Sequence, residues 1–284
     1  MCPSMKTVVR THESPLTHPG EFIRSVGRDL RRSAPLALEI AKRDVRGQYR
    51  SSLFGPAGVV LAPLAITSAA IGFRRTGILN VDAVSVPYTL FVLAGVVLWS
   101  TLLDALNAPV QGFLAEQRLL ARTSAPAEAI VLGKLSTVVL NAMIRGMILA
   151  VALLIYRVPF RAAILLAPAG VISLALLGIT LGLLIAPINL LYRDFSWIIT
   201  TVTTVWFFFS PVYFPAPSGG AVGAIMRFNP VTSLLSDTRS LILTGAAASP
   251  ARSLLTALAV CLALGVCWLY ARIALGVAIE QVNE

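Results

Sequence analysis

Residues 129–156 read AIVLGKLSTVVLNAMIRGMILAVALLIY, and this stretch decides the class of the protein. Lys134 and Arg145 are its only charged residues, and it has no proline. A helix on a soluble core is apolar along one stripe and polar opposite it. Here apolar residues occupy every face over more than the ~20 residues that cross about 30 Å of hydrocarbon. We read the stretch as a transmembrane helix.

Working outward, five similar stretches appear. Arg157-Val158-Pro159-Phe160-Arg161 makes a short turn into a span over 162–185, and the polar link 189–194 leads to another over 197–213. Upstream lie a span over 86–106, containing Trp99, and an irregular one over 53–73, with Gly55, Pro56, Gly58 and Pro63 inside and Arg74 and Arg75 at its end. The last covers 253–275. Composition agrees: 57% of the 284 residues are hydrophobic and only 13% charged, against about 25% charged in soluble domains. Mean hydropathy is +0.82.

The net charge of +10 would suggest nucleic acid in a soluble protein, but its location excludes that reading. Ten of the 23 Lys and Arg precede Leu53. A basic amino-terminal segment beside a membrane fits anionic headgroups and cytoplasmic retention. With that terminus inside, inner segments hold 15 basic residues and outer ones 7, so both termini are expected in the cytoplasm. No apolar stretch in the first fifty residues resembles a cleavable signal.

Residues 1–32 are polar and broken by Pro3, Pro15 and Pro19, which predicts a disordered tail. Ser33 before Ala34-Pro35 predicts a helix start. Over 33–52, Leu38, Ala41, Val45 and Tyr49 recur at helical spacing opposite Glu39, Arg43, Arg46 and Arg50. This is the pattern of an amphipathic helix on a membrane surface or on a cytosolic partner. The six spans then fill 53–275, and 276–284 is a short cytoplasmic tail.

Lys134, Asn141 and Arg145 share one face of the third span. A basic side chain near the bilayer centre costs about 2.5–3.5 kcal/mol. That face is either a channel wall meeting an anionic or sugar-rich cargo, or a packing face on which Lys134 pairs with Asp104 and Arg145 reaches the interface. The aromatic residues Trp206, Phe207, Phe208, Phe209 and Tyr213 form either a headgroup belt or a stacking surface for sugar rings. Trp99, Asn141, Arg145, Trp206, Phe209 and Tyr213 are the channel candidates.

Several chemistries are disfavoured. His12 and His18 lie in the tail, and Cys261 and Cys267 are six apart on an apolar helix, so no metal site is expected. Only Asp104 among the acids falls within a span, which argues against a proton relay or a membrane enzyme. No Gly-x-x-x-x-Gly-Lys-Ser/Thr loop occurs, so ATP would have to be bound by another polypeptide.

Four segments carry a resemblance: RDVRGQYRSSLFGPAGVVLAPL (43–64), NLLYRDFSWII (189–199), SPVYFP (210–215) and RFNPVTSLLSDTRSLILTG (227–245). In order and spacing they resemble the type-2 ATP-binding-cassette permeases that export O-antigen, capsule and teichoic-acid polymers. The resemblance implies an all-α integral membrane protein with six transmembrane helices, an interfacial amphipathic helix, and short outer re-entrant helices before the last span. It implies a homodimer in a bacterial plasma membrane, a lipid-linked glycan as cargo, and a separate ATPase subunit that carries the phosphate loop with ATP and Mg. The coupling contacts would be Glu116, Arg118 and Arg122, with Tyr192, Arg193 and Asp194. Arg43, Arg46, Tyr49 and Arg50 would mark the entrance helix. The same architecture with a drug or lipid cargo is the neighbouring reading, and a membrane enzyme of glycan or lipid assembly is the reading of another class.

Overall fold

The computed structural model describes residues 19–50, 55–76, 86–122, 126–192, 194–216 and 219–283. All regular structure among them is helical: α1 (Pro19–Arg50), α2 (Gly55–Arg75), α3 (Tyr88–Ala115), α4 (Gln117–Arg122), α5 (Ala127–Ile155), α6 (Ala167–Leu191, entered by a 3-10 turn at Ala162–Leu166), α7 (Phe195–Phe208), α8 (Gly220–Phe228), α9 (Pro230–Leu243) and α10 (Pro250–Asn283).

Five helices are long and apolar enough to cross a membrane: α2, α3, α5, α6 with its 3-10 turn, and α10. The stretch expected as a fifth span, 197–213, instead holds the 14-residue α7 and a turn. At 1.5 Å per residue α7 reaches about 21 Å, short of the apolar slab. Its end has a local cause. Pro211 supplies no N–H and its ring crowds the carbonyl four residues back, so the helix stops before the Ser210-Pro211 pair.

Three other boundaries differ from expectation. Helix α1 begins at Pro19, not Ser33, so 19–32 is helical; residues 1–18 lie outside the described residues. Pro19 sits at the helix start, where a missing N–H is harmless, and Pro35 is accommodated inside. Helix α3 continues past Leu106 to Ala115, because Ala108, Val110 and Phe113 extend its buried face through the polar Asn107 and Gln111. Helix α10 runs past Leu275 to Asn283, so the segment expected as a tail is helical over 276–283. Ala271, Leu275 and Ala278 keep one buried row there at helical spacing.

The core centres on α3. Of its most apolar stretch, 78% is buried, against 22% for α5 and 11% for α10. Helix α6 packs along α3 through Gly178 and Gly182. A Cβ at Gly178 would fall on the Leu102 carbonyl, and one at Gly182 on the Leu106 carbonyl and the Pro109 ring. Small residues four apart let two membrane helices touch backbone to backbone. Gly133 does the same for α5 against α1, where a Cβ would stand 2.8 Å from the Ile40 Cβ. This contact selects the face of α1 that is buried: Ser33, Ala37 and Ile40, while Leu38 of the expected apolar stripe is 55% exposed.

Helix α9 is a buried strut. Asn229 caps it by accepting from the Val231 N–H at 3.0 Å, and Pro230 takes its first turn. Arg239, 4% exposed, donates through Nη1 to the Pro211 carbonyl at 2.7 Å and lies 3.5 Å over the Phe91 ring. Asp237 accepts from the Ser249 N–H at 2.8 Å and the Ser253 hydroxyl at 2.5 Å, at the start of α10. A carboxylate there complements the helix dipole. Asp237→Ala is expected to destabilise the protein by about 1–3 kcal/mol through the unpaired N–H and lost charge-assisted bonds. A lowered melting temperature in detergent, with Asp237→Asn intermediate, would show it.

Candidate functional site

A polar seam joins α1, α3 and α5. On α3, Asp104 accepts from Asn141 Nδ2 at 2.9 Å and from Arg145 Nη1 at 2.7 Å, both on α5. Asn141 in turn accepts from Gln48 Nε2 of α1 at 3.0 Å. Further toward the start of α5, Lys134 pairs with Asp44 at 2.5 Å. Beyond that, Arg43 pairs with both Asp44 and Glu116. Hydrogen bonding to Glu116 raises the Arg43 pKa further above its ordinary value. Arg43, Asp44, Gln48, Asp104, Lys134 and Asn141 line a cavity of about 520 Å³ between the three helices.

The spacing on α5 follows from helix geometry, since residues 134, 141 and 145 recur on one face. Both expected pairings of that face change. Lys134 takes Asp44 rather than Asp104, and Arg145 takes Asp104 rather than reaching for the interface. Arg145 is 8% exposed and Asn141 9%; the buried Arg145 Nε has no hydrogen-bond partner among the described residues, and the Asp104 carboxylate answers the charge. A charge buried among apolar helices is tolerated in that way.

The same end of the bundle gathers the polar links. Helix α3 ends at Ala115, and buried Glu116 leads into α4. Helix α6 ends beside it, because Asn189 donates to the Val110 carbonyl at 3.5 Å and accepts from Ser196 of α7 at 2.8 Å. Gln111 of α3 reaches Ser196 as well, at 3.4 Å. Glu128, at the start of α5, pairs with Arg272 of α10 at 3.7 Å. So Glu116, α4, Tyr192 and Asp194 cluster at one end, together with the Arg43 region of α1. Arg118, Tyr192 and Asp194 are exposed there, and Arg46 is exposed on α1. Arg193 and the side chains of Arg122, Tyr49 and Arg50 lie outside the described residues.

The aromatic candidates divide. Trp99 of α3, 4% exposed, meets Trp206 and Phe207 of α7 edge to face, each at 5.5 Å, and Tyr213 meets Phe207 at 4.9 Å. Such geometry suits the ring quadrupoles and fastens the end of α7 to α3. Phe209 stands apart and is 42% exposed. Within one chain, Trp99 is thus a packing residue with its faces covered. The corner between α2, α3 and α9 holds a stack unforeseen from the sequence. Arg74 sits 4.8 Å over Tyr88, Tyr88 stacks on Phe91 at 6.5 Å, and Arg239 covers Phe91. The available signal was a lone arginine in the apolar-patterned run 230–243, which reads equally as a loop charge.

Residues 36–243, from α1 through α9, match the model of the family described as ABC-2 type transporter. The chain belongs to that family. The ABC-2 membrane domain is a transport subunit rather than an enzyme, and the absence of a phosphate loop from the sequence accords with it. The chain is also 22% identical over 217 residues to the O-antigen export system permease protein RfbA of Myxococcus xanthus, covering 75% of this chain and 82% of that one. ABC-2 permeases pair with ATP-binding-cassette ATPase subunits, and this one is a multi-pass membrane protein of the same kind.

Proposed function

We propose that this ABC-2 permease moves a lipid-linked polysaccharide, of the O-antigen, capsule or teichoic-acid kind, out of the cytoplasm across a bacterial plasma membrane. The similarity to an O-antigen export permease supports the cargo. The observation that carries the mechanism is the gathering of Glu116, α4, Tyr192 and Asp194 at one end of the bundle, fastened to α1 by Arg43. A homodimer of this chain forms the path, and two ATPase subunits carrying ATP and Mg dock against that end. There α4 and the 192–194 link, with Arg118, Arg122 and Arg193, receive their motion.

Both termini lie on the ATPase side, and α1, with Arg46, Tyr49 and Arg50, flanks the entrance. Six crossings result when α7 and the turn after it serve as the fifth. Helices α8 and α9 then form the re-entrant cap at the exit, with Trp206, Phe209 and Tyr213 nearby. ATP-driven closure of the ATPase pair pushes on the links, and α3, packed backbone to backbone on α6, carries the motion inward as a rigid unit.

Purification of the tagged protein in mild detergent is expected to bring down a phosphate-loop ATPase in stoichiometric amount. Asp194→Ala should leave membrane insertion intact and reduce transport-coupled ATPase activity at least several-fold, with lipid-linked glycan accumulating inside the cell. A preparation free of ATPase after crosslinking, or unchanged export by the variant, would remove the coupling role.

A further inference from the structure

The exit-side corner between α9 and α10 encloses a cavity of about 380 Å³, separate from the polar seam. This volume lies at the low end of small-ligand pockets and suits one sugar-sized group. Its wall has a regular chemical pattern. Thr232, Ser236, Ser240 and Thr244 recur every four residues along α9, so their hydroxyls form one row on a single helix face. The Ser236 and Ser240 hydroxyls, half-buried, take no hydrogen bond from the described residues.

The charges in this wall are unequal. Arg239 and Arg252 both line it, and Asp237 is its one carboxylate. Asp237 has both oxygens engaged by Ser249 and Ser253 at the start of α10. Arg239 is 4% exposed and has no carboxylate partner among the described residues; carbonyl dipoles and the Phe91 ring answer its charge. Arg252 stands exposed at the rim. Two hydroxyls open to a ligand, Ser236 and Ser240, beside two guanidiniums and no free acid suit a polyhydroxylated ligand that also carries an oxyanion, while the Thr244 hydroxyl at the end of the row is spent on the Ser240 carbonyl.

We propose that this α9–α10 cavity is a recognition subsite for an oxyanion-bearing sugar residue, a carboxylate or phosphate sugar of the exported polymer. Arg252 and Arg239 take the oxyanion, and Ser236 and Ser240 exchange hydrogen bonds with the ring hydroxyls. The inference rests on the glycan-export reading for its ligand. It depends on neither the ATPase nor coupling, so it can fail while that reading stands.

The test is calorimetric titration of the full-length chain in nanodiscs of neutral lipid, with methyl glucuronide, methyl glucoside, inorganic phosphate and a short-chain phosphatidylglycerol as probes. Methyl glucuronide is expected to bind at millimolar concentration, about tenfold tighter than methyl glucoside, as for a charge-assisted pair. Arg252→Gln, at an exposed position, should abolish that preference without altering the melting temperature. Ser236→Ala should weaken methyl glucuronide several-fold and leave inorganic phosphate unaffected. Absence of methyl glucuronide binding, or binding indifferent to Arg252→Gln, would overturn the assignment. Phosphate or phosphatidylglycerol binding tighter than methyl glucuronide would overturn the sugar part and leave an anion or headgroup site. Co-purification of the ATPase tests the export reading separately.

Discussion

Gly182→Leu is expected to leave no folded permease in the membrane. The α3–α6 contact is made backbone to backbone, and a Cβ at Gly182 already coincides with the Leu106 carbonyl and the Pro109 ring. A flexible neighbour could yield, but a helix carbonyl moves only with its helix. Overpacking in cores typically costs 1–3 kcal/mol and occasionally more. Here the two central helices must separate along their length, so the upper end of that range or beyond is expected, at roughly 3 kcal/mol or more. Gly178→Leu should behave alike, since it would strike the Leu102 carbonyl. Gly146→Ala is the control: nothing lies within 4 Å of its added Cβ, and alanine is the better helix former by about 1 kcal/mol. Size-exclusion profiles in detergent after heating would separate the three. A monodisperse Gly182→Leu protein with unchanged melting would mean that α3 and α6 are not in backbone contact.

The second large effect is expected at Asp104. Asp104→Ala removes the carboxylate that Arg145 and Asn141 share and leaves a buried guanidinium without its counter-charge. Breaking a buried pair from one side costs about 3–5 kcal/mol. Replacing both partners, as Asp104→Leu with Arg145→Met, should recover most of that loss, because an apolar pair of similar volume avoids the desolvation penalty. A double-mutant cycle on thermal stability reads the coupling directly. Additive losses would show that the two side chains do not depend on each other. If the seam also positions α1 beside the links, the double variant should be stable yet transport poorly.

Much of the fold was legible in the chain. The apolar run over 129–156, its counterparts and the sparse charge define a helical membrane protein, because length and hydropathy are local properties. The turn at Asn229-Pro230 was legible for the same reason, since capping and proline chemistry act within a few residues, whereas the short helix after Glu116 was implied only by the family resemblance. The extent of α7 was less so: its apolar pattern runs through Tyr213, and Ser210-Pro211 interrupts the helix without interrupting the hydropathy.

The site was legible in residue type but not in partnership. Lys134, Asn141 and Arg145 stood out because charge inside a span is costly, whichever group compensates it. Which acid meets which base depends on how α1 is laid along α5, and that is set by Gly133 against Ile40, a contact between residues far apart in sequence. Arg239 was not singled out from the sequence, because its burial comes from α3 and the turn after α7, not from its neighbours in the chain.

The sequence alone thus determined the solvent of this protein, its helical class, most of its helices and the residues whose polarity needs an answer. Those follow from local hydrophobicity, capping and the cost of charge in hydrocarbon. Only the tertiary structure decided the centrality of α3, the pairs Asp44–Lys134 and Asp104–Arg145, and the enclosure of the α9–α10 corner. These depend on close approach between distant segments, where two glycines or one carbonyl settle the geometry and no periodicity reports it.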